Sequence, residues 1–315
     1  LHPSIDRGRH FAALPDEPVR ALAVMSTLMP HLSAGRSVVY RNALGLALTA
    51  AWIAAAFGLL SIALVIAAVA VPAVLFAYIY DHDLWRGRPL AVLGGGFALP
   101  LVLGVAVGLL QQRFAPSALL SVGPRHLPSV STILELGVIV PVVAFLALLV
   151  APLLITAPAA FRHPVDAIVA CSLSGAALSL GFSIVVQRGA FTEVAVTIGN
   201  PAQLAFIALT LGFLQPIVFA TASAVTVIRL REATGKLAVG VVLGLALVVA
   251  YQLAATLLTP YGTRGVVLTA LVGFVLAAVG LVTARTELHK GLLGEAQEAL
   301  GERTLIHPAQ TGQIC

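Results

Sequence analysis

The chain contains 315 residues, of which 59% are hydrophobic and only 10% are charged, and its mean hydropathy is +1.02. A water-soluble protein of this length needs many more charged side chains to cover its surface, so the composition excludes a soluble fold. The net charge of +5 does not indicate nucleic-acid binding, because the basic residues are spread over many short loops. Apolar runs of about 18 residues or more recur along the chain and predict an all-α fold, a polytopic integral membrane helical bundle.

The first segment, residues 1–41, is predicted to be cytoplasmic and to contain one amphipathic helix. Residues 16–33 read DEPVRALAVMSTLMPHLS, in which Asp16 suits an N-cap and Pro18 suits the first helical turn. Apolar residues at helical spacing follow, and they favour a helix that lies in the membrane interface. A short helix packed on the membrane domain or on a partner fits the same pattern, so both interpretations stay open.

The transmembrane domain is predicted to cover residues 42–285 with eight spans. The apolar block 42–80 is too long for one helix, because one crossing takes about 20 residues. Gly58 and Ser61 are the expected hairpin within this block. The spans are predicted near residues 43–58, 61–80, 90–110, 132–155, 165–186, 202–228, 237–258 and 265–284.

Basic residues near the helix ends predict the orientation of the bundle. If the N-terminus is inside, most of them lie on the cytoplasmic side. The outer side then carries only Arg113, Arg125, Arg188 and Arg264. This asymmetry follows the positive-inside rule for an even number of spans, so we expect both termini in the cytoplasm.

Segments outside the spans suggest where the protein meets other molecules. Residues 286–315 are predicted to be a cytoplasmic helix and tail, and 286–303 has the charge pattern of a solvated helix. The outer segment 111–131 is long and rich in Pro, Ser and Arg, as is typical of a loop that contacts partners. We therefore expect a multi-pass protein of a prokaryotic inner (plasma) membrane, whose partners are the lipid bilayer and other membrane proteins.

Ionisable residues within the spans are rare, and each one carries a functional hypothesis because charge is costly inside a bilayer. Glu135 lies about one turn into the fourth span and is the weak candidate for a catalytic residue. Three interpretations of Glu135 stay open: it reaches water at the interface, it pairs with an outer arginine such as Arg125 or Arg188, or it takes part in catalysis. Asp166 begins the fifth span at the opposite membrane face.

Neutral polar residues are more frequent within the spans, and no histidine lies deep in any of them. They are Ser172, Ser174, Ser179, Ser183, Thr210, Gln215, Thr221, Ser223, Thr226, Gln252 and Thr256. This set does not fit an intramembrane zinc hydrolase, which needs several His or carboxylate ligands at one depth. A facing pair of aspartates, a buried Ser/His dyad and a phosphate-binding glycine loop are also missing from the sequence. We therefore predict no metal site and no cofactor.

The stretch FRHPVDAIVACSLSGAALSLGFSIV, residues 161–185, has a physical explanation that needs no catalysis. Pro164 suits the first turn of a helix, and Asp166 lies where the helix dipole favours a carboxylate. Gly175, Ser179 and Gly181 are small enough to let a neighbouring helix approach closely. We predict structural and packing roles for all five residues.

The same stretch, together with AVPAVLFAYIYDHDLWRGRPL at 70–90, resembles the PrsW family of intramembrane proteases. The residues that carry the resemblance in the fifth span are Phe161, Pro164, Asp166, Ile168, Gly175, Gly181 and Phe182. The similarity covers about residues 40–285 in span order and loop lengths. It implies the architecture of a helical membrane metalloprotease.

The positions that this resemblance assigns to catalysis carry other residues here. The family's Glu-Glu-x-x-Lys motif falls on TILELGVIVP, where Glu135 alone remains. A later glutamate falls in GFSIVVQ, which ends in Gln187, and an intramembrane histidine falls near Gln215 and Pro216. A single carboxylate cannot hold zinc at useful affinity, so the resemblance implies a non-catalytic relative.

Three functions follow from these observations as hypotheses. The first is an accessory or scaffold subunit of a membrane complex, with the PrsW-like architecture and without its chemistry. The second is an active intramembrane protease with altered catalytic residues, among them Glu135. The third is a channel or permease component whose pore is lined by the serines of 172–183 and the hydroxyl residues of 221–226.

Overall fold

The computed structural model describes residues 24–29, 34–81, 89–114, 129–157, 164–188, 200–231 and 237–306. Within these ranges every regular element is a helix, which confirms the predicted all-α fold. In chain order the helices are α1 (Val24–Leu28), α2 (Ala34–Ala56), α3 (Leu60–Asp81), α4 (Pro89–Phe114), α5 (Val130–Leu134, Glu135–Ile139 and Val140–Thr156), α6 (Pro164–Val186), α7 (Pro201–Leu209, Thr210–Leu214 and Gln215–Arg231), α8 (Leu237–Leu258) and α9 (Thr263–Ile306).

Helices α2 to α9 are each long and apolar enough to cross a membrane, as the eight-span prediction requires. Between α2 and α3 the chain reverses at Gly58, whose φ of 75° lies in the left-handed region that glycine adopts without a steric penalty. An even number of crossings brings both ends of the bundle to one side of the membrane. That this side is the cytoplasm stays a prediction. Most of the predicted amphipathic helix 16–33 and of the outer loop 111–131 lies outside the described residues.

Helix α6 forms the centre of the bundle, with 89% of its apolar span buried. Helices α3, α4, α5 and α7 pack around it. A Cβ atom added to Gly175 would lie 2.7 Å from the Cα of Ala220 in α7. One added to Gly181 would overlap the carbonyl oxygen of Leu101 in α4. Small residues therefore set the spacing of these helices, as expected where lipid supplies no hydrophobic force between them.

Polar side chains of α6 are also enclosed by the bundle. Pro164 is the first residue of the helix, and Asp166 lies in its first turn. Asp166 is only 2% exposed and is engaged in a polar interaction, while Ser179 is 1% exposed. Ser174 donates a hydrogen bond of 3.1 Å to the carbonyl oxygen of Leu148 in α5. The hydroxyl of Ser174 therefore joins two helices.

Two of the helices contain a π-helical turn, and each turn lies just before a proline. Glu135–Ile139 in α5 precedes Pro141, and Thr210–Leu214 in α7 precedes Pro216. Proline has no N–H, and its ring collides with the carbonyl four residues earlier, so a wider turn relieves the collision. Both sites share the sequence L-G-x-x-x-P.

Helix α9 runs without a break from Thr263 to Ile306, so the predicted C-terminal helix continues the last span. The expectation that residues 286–303 are solvated is wrong for the start of this segment. Glu287 is 3% exposed and Leu288 is fully buried. Glu287 is buried because it forms an ion pair with α7, in which its Oε1 lies 2.8 Å from a terminal nitrogen of Arg229.

Candidate functional site

The structure places the weak catalytic candidate, Glu135, at the first position of the π turn in α5. The residue is half-buried, and Arg188, one of its proposed partners, is engaged in an interaction in the described structure. The other proposed partner, Arg125, lies outside the described residues. The interpretation of Glu135 as a residue that reaches water at the interface agrees with this partial exposure.

The two intramembrane carboxylates lie far apart. Glu135 is near the start of α5, and Asp166 is in the first turn of α6, which returns antiparallel to α5. From Glu135 to Thr156 the helix rises roughly 30 Å, so the two groups cannot share one substrate or one metal. Among the described residues no group of three or more His, Cys, Asp or Glu side chains could hold a metal ion.

A cavity with a mainly apolar surface and several polar residues in its lining lies between the C-terminal end of α4 and helices α6, α7, α8 and α9. Its volume is about 50 Å³, which is room for roughly four water molecules. All residues that line it belong to membrane-spanning helices. The polar ones are Gln111, Thr210, Gln215, Tyr251, Gln252, Thr259 and Thr269.

Two of these amides have unsatisfied hydrogen-bonding atoms. Gln215 is fully buried, and neither its Nε2 nor its Oε1 has a partner among the described residues. Gln252 is 7% exposed, and its Nε2 also has no partner there. A buried polar group left unpaired costs about 1–3 kcal/mol, and more where lipid replaces water. The adjacent cavity is where a bound molecule would supply the missing partners.

The π turn of α7 brings these groups together. Gln215 follows directly after the turn, and its N–H bonds to the carbonyl oxygen of Thr210. The same oxygen accepts a hydrogen bond of 2.8 Å from the hydroxyl of Tyr251 in α8. The turn before Pro216 therefore sets the backbone position of Gln215, and the Thr210 carbonyl oxygen of the same turn contacts α8.

The serines and threonines of the proposed pore do not line the cavity. Within the described structure Thr221, Ser223 and Thr226 donate to carbonyls of their own helix. A Cβ added to Gly280 of α9 would collide with Thr221, so this face is a close helix contact. The hydroxyls of Thr221, Ser223 and Thr226 are therefore engaged in hydrogen bonds within the packed bundle, and a pore lined by them stays a hypothesis.

A charged cluster lies near the other end of α7 and α9. Glu287 Oε1 accepts from Arg229 at 2.8 Å and from Lys290 Nζ at 2.9 Å. The Glu287 and Arg229 side chains are 4% and 13% exposed, whereas Lys290 is 57% exposed. Arg285, in the same region of α9, is fully buried. The cluster fastens α9 to α7.

Sequence reasoning found some of the cavity residues but not their association. Thr210, Gln215 and Gln252 stand out as polar groups in apolar spans, and the structure brings these three together. Gln111, Tyr251, Thr259 and Thr269 were missed, because residues near a helix end and single tyrosine or threonine residues are unremarkable in a membrane protein. The L-G-x-x-x-P pattern at 211–216, which contains Gln215, is a sequence signal for the π turn beside the cavity.

No protein-family model matches this sequence, and no curated protein or solved structure matches it either. The resemblance to PrsW-like proteins is therefore carried by the motifs of the sequence alone.

Proposed function

We propose that this protein is a non-catalytic, multi-pass membrane protein that binds a small uncharged polar ligand in the cavity around Gln215. The observation that carries the proposal is the pair of unpaired atoms on a fully buried amide beside a cavity of about 50 Å³. Buried polar groups in native structures nearly always have a partner, from the protein or from a bound molecule. Recognition of a polar ligand explains why an amide is retained at this depth.

The chemistry of the lining supports binding over catalysis. The polar groups in the described lining are amides, threonine hydroxyls and one tyrosine. General acid–base catalysis needs a group that exchanges a proton near the working pH, which amides and threonines do not do. The one tyrosine, Tyr251, has its proton bonded to the carbonyl oxygen of Thr210. Glu135 is not among the residues of this lining.

The family resemblance agrees with the location of the cavity. Gln215 stands where the resemblance expects an intramembrane histidine, and Phe182 of the fifth-span motif contributes to the same lining. A PrsW-like pocket in which an amide replaces the histidine would keep a binding site and lose hydrolysis. On this basis we extend the proposal to an accessory subunit of a membrane complex in a prokaryotic inner membrane.

Ligand retention tests the binding proposal. The protein is purified in lipid nanodiscs, and small molecules released on denaturation are identified by mass spectrometry. We expect a species that accompanies the wild type and is lost from Gln215→Leu, because leucine has a similar volume and no hydrogen-bonding atoms. The matched control is Gln203→Leu. Gln203 is 8% exposed, but its Oε1 already accepts from Thr263, outside the cavity. Recovery of the same species from wild type and Gln215→Leu, or of none from the wild type, would contradict the proposal.

Two further measurements separate the accessory-subunit proposal from its alternatives. Native mass spectrometry after gentle extraction should show the chain with another protein subunit, and recovery only as a monomer would contradict that role. Glu135→Gln should leave ligand retention unchanged, because Glu135 does not line the cavity. Loss of a proteolytic phenotype in Glu135→Gln would instead favour the protease alternative.

A further inference from the structure

Three threonine hydroxyls of the cavity direct their protons away from it. Thr210, Thr259 and Thr269 each donate to the backbone carbonyl oxygen four residues earlier in the same helix or its last turn. The distance is 2.7 Å for Thr210 and 2.9 Å for Thr269. This is the common local bond of threonine in helices. Each hydroxyl oxygen keeps its lone pairs and has no proton left to donate.

The tyrosine of the cavity has also donated its proton. The Tyr251 hydroxyl bonds to the carbonyl oxygen of Thr210 at 2.8 Å, and Tyr251 is 1% exposed. A hydroxyl that has donated its proton can take part in further hydrogen bonds only as an acceptor. The residues of the lining therefore include four hydroxyl groups whose oxygens have lone pairs left to accept a hydrogen bond.

The other polar groups of the lining supply both donors and acceptors. They are the primary amides of Gln111, Gln215 and Gln252. Among the described residues, two donor nitrogens of these amides have no partner, Nε2 of Gln215 and Nε2 of Gln252, and one acceptor has none, Oε1 of Gln215. The described lining has no Lys, Arg or His side chain that would attract an anion.

We infer that the cavity selects a ligand that both accepts and donates hydrogen bonds, a small neutral molecule or group that carries a carbonyl oxygen and an N–H, with a carboxamide as the best fit. A carboxamide can donate from its nitrogen to the threonine or tyrosine oxygens while its oxygen accepts from Nε2 of Gln215. A carboxylate would place its lone pairs against those of the lining. The inference rests on the proposed function and adds the chemical class of the ligand.

Three probes of the same size and different hydrogen-bonding capacity test the inference. Acetamide donates and accepts, acetone only accepts, and acetate accepts and carries a negative charge. Each has four non-hydrogen atoms, a size that binds no tighter than roughly tens of micromolar, so the probes are titrated at about 1–50 mM. Binding to the wild-type protein in lipid nanodiscs is measured by saturation-transfer NMR. We expect acetamide to bind about tenfold tighter than acetone, and acetate to show no saturable binding.

A matched pair of variants on α9 locates the acceptors. Thr269→Val removes one oxygen from the lining and should weaken acetamide binding about fivefold to tenfold. Thr286 donates to Val282 O at 2.7 Å in the same way but lies outside the cavity, so Thr286→Val should bind acetamide like the wild type. Thermal unfolding confirms that both variants are folded.

The outcomes distinguish the inference from the proposed function. Acetone or acetate binding as tightly as acetamide, or an unchanged affinity in Thr269→Val, overturns the donor preference. If acetone or acetate binds as tightly as acetamide and this binding is lost in Gln215→Leu, the cavity is still a binding site and only the ligand class is wrong. If none of the probes binds, the inference fails, and the proposed function fails with it when no ligand co-purifies with the wild type.

Discussion

Gly181→Ala should destabilise the bundle by about 2 kcal/mol, although alanine is the better helix former. The added Cβ would overlap the Leu101 carbonyl oxygen and lie 3.0 Å from the Val105 backbone nitrogen. Both atoms belong to the backbone of α4, so no side-chain rotation can relieve the contact and the two helices must move apart. The gain in helix propensity is about 1 kcal/mol, whereas overpacking of a tight contact costs about 1–3 kcal/mol or more. Separation of α4 from α6 also removes the close packing around it, which places the net loss near 2 kcal/mol.

The free energy of unfolding of the wild type and the variant can be measured in bicelles by steric trapping. Gly94→Ala on α4 is the matched control, because a Cβ added there meets no atom within 4 Å. That variant should be as stable as the wild type or more stable by up to about 1 kcal/mol. If Gly181→Ala and Gly94→Ala have equal stability, α4 and α6 do not pack through Gly181, and the described centre of the bundle is wrong.

Two further predictions concern the contacts of α7. Glu287→Ala removes a buried carboxylate from its 2.8 Å bond to Arg229 and should cost about 3 kcal/mol in thermal unfolding, whereas Lys290→Ala, on a side chain that is 57% exposed, should cost less than about 1 kcal/mol. Equal losses would show that the interior ion pair does not hold α9 in place. Tyr251→Phe removes the bond to the Thr210 carbonyl and should cost about 1 kcal/mol while weakening acetamide binding, since it also removes one acceptor oxygen. A variant that loses stability but binds acetamide normally would show that the tyrosine oxygen does not face the ligand.

Much of the secondary structure could be predicted because the bilayer restricts the choice. A segment in lipid must satisfy its backbone hydrogen bonds internally, so each apolar run of sufficient length is a helix. The expected fifth span at 165–186 agrees with Pro164–Val186, and the expected hairpin has Gly58 at its positive φ. The solvation of the C-terminal helix was mispredicted because its charges at 286–303 suggest water on every side. The partner of Glu287 lies 58 residues away, at Arg229.

The candidate site was only partly predictable. Gln215 and Gln252 are conspicuous as amides in apolar spans, but their sequence does not say whether they face lipid, another helix or a common cavity. The rarity of charge within the spans drew attention to Glu135, which lies in the other π turn and outside the cavity lining. The π turn before Pro216 decides which way the amide points, and it depends on local backbone geometry that hydropathy does not report.

The sequence by itself predicted a membrane protein with eight segments long and apolar enough to cross a bilayer, because hydropathy and chain length are sufficient for these properties. Only the tertiary structure decided which helices touch. The outer faces of the bundle and its interior are almost equally apolar, so the pattern of apolar residues does not mark a core face. Helix contacts depend on local shape, as at Gly181 against Leu101, and on polar pairs far apart in sequence, as at Tyr251 and Thr210, which are 41 residues apart. The cavity is formed by helices from both halves of the chain, so it exists only once they have packed.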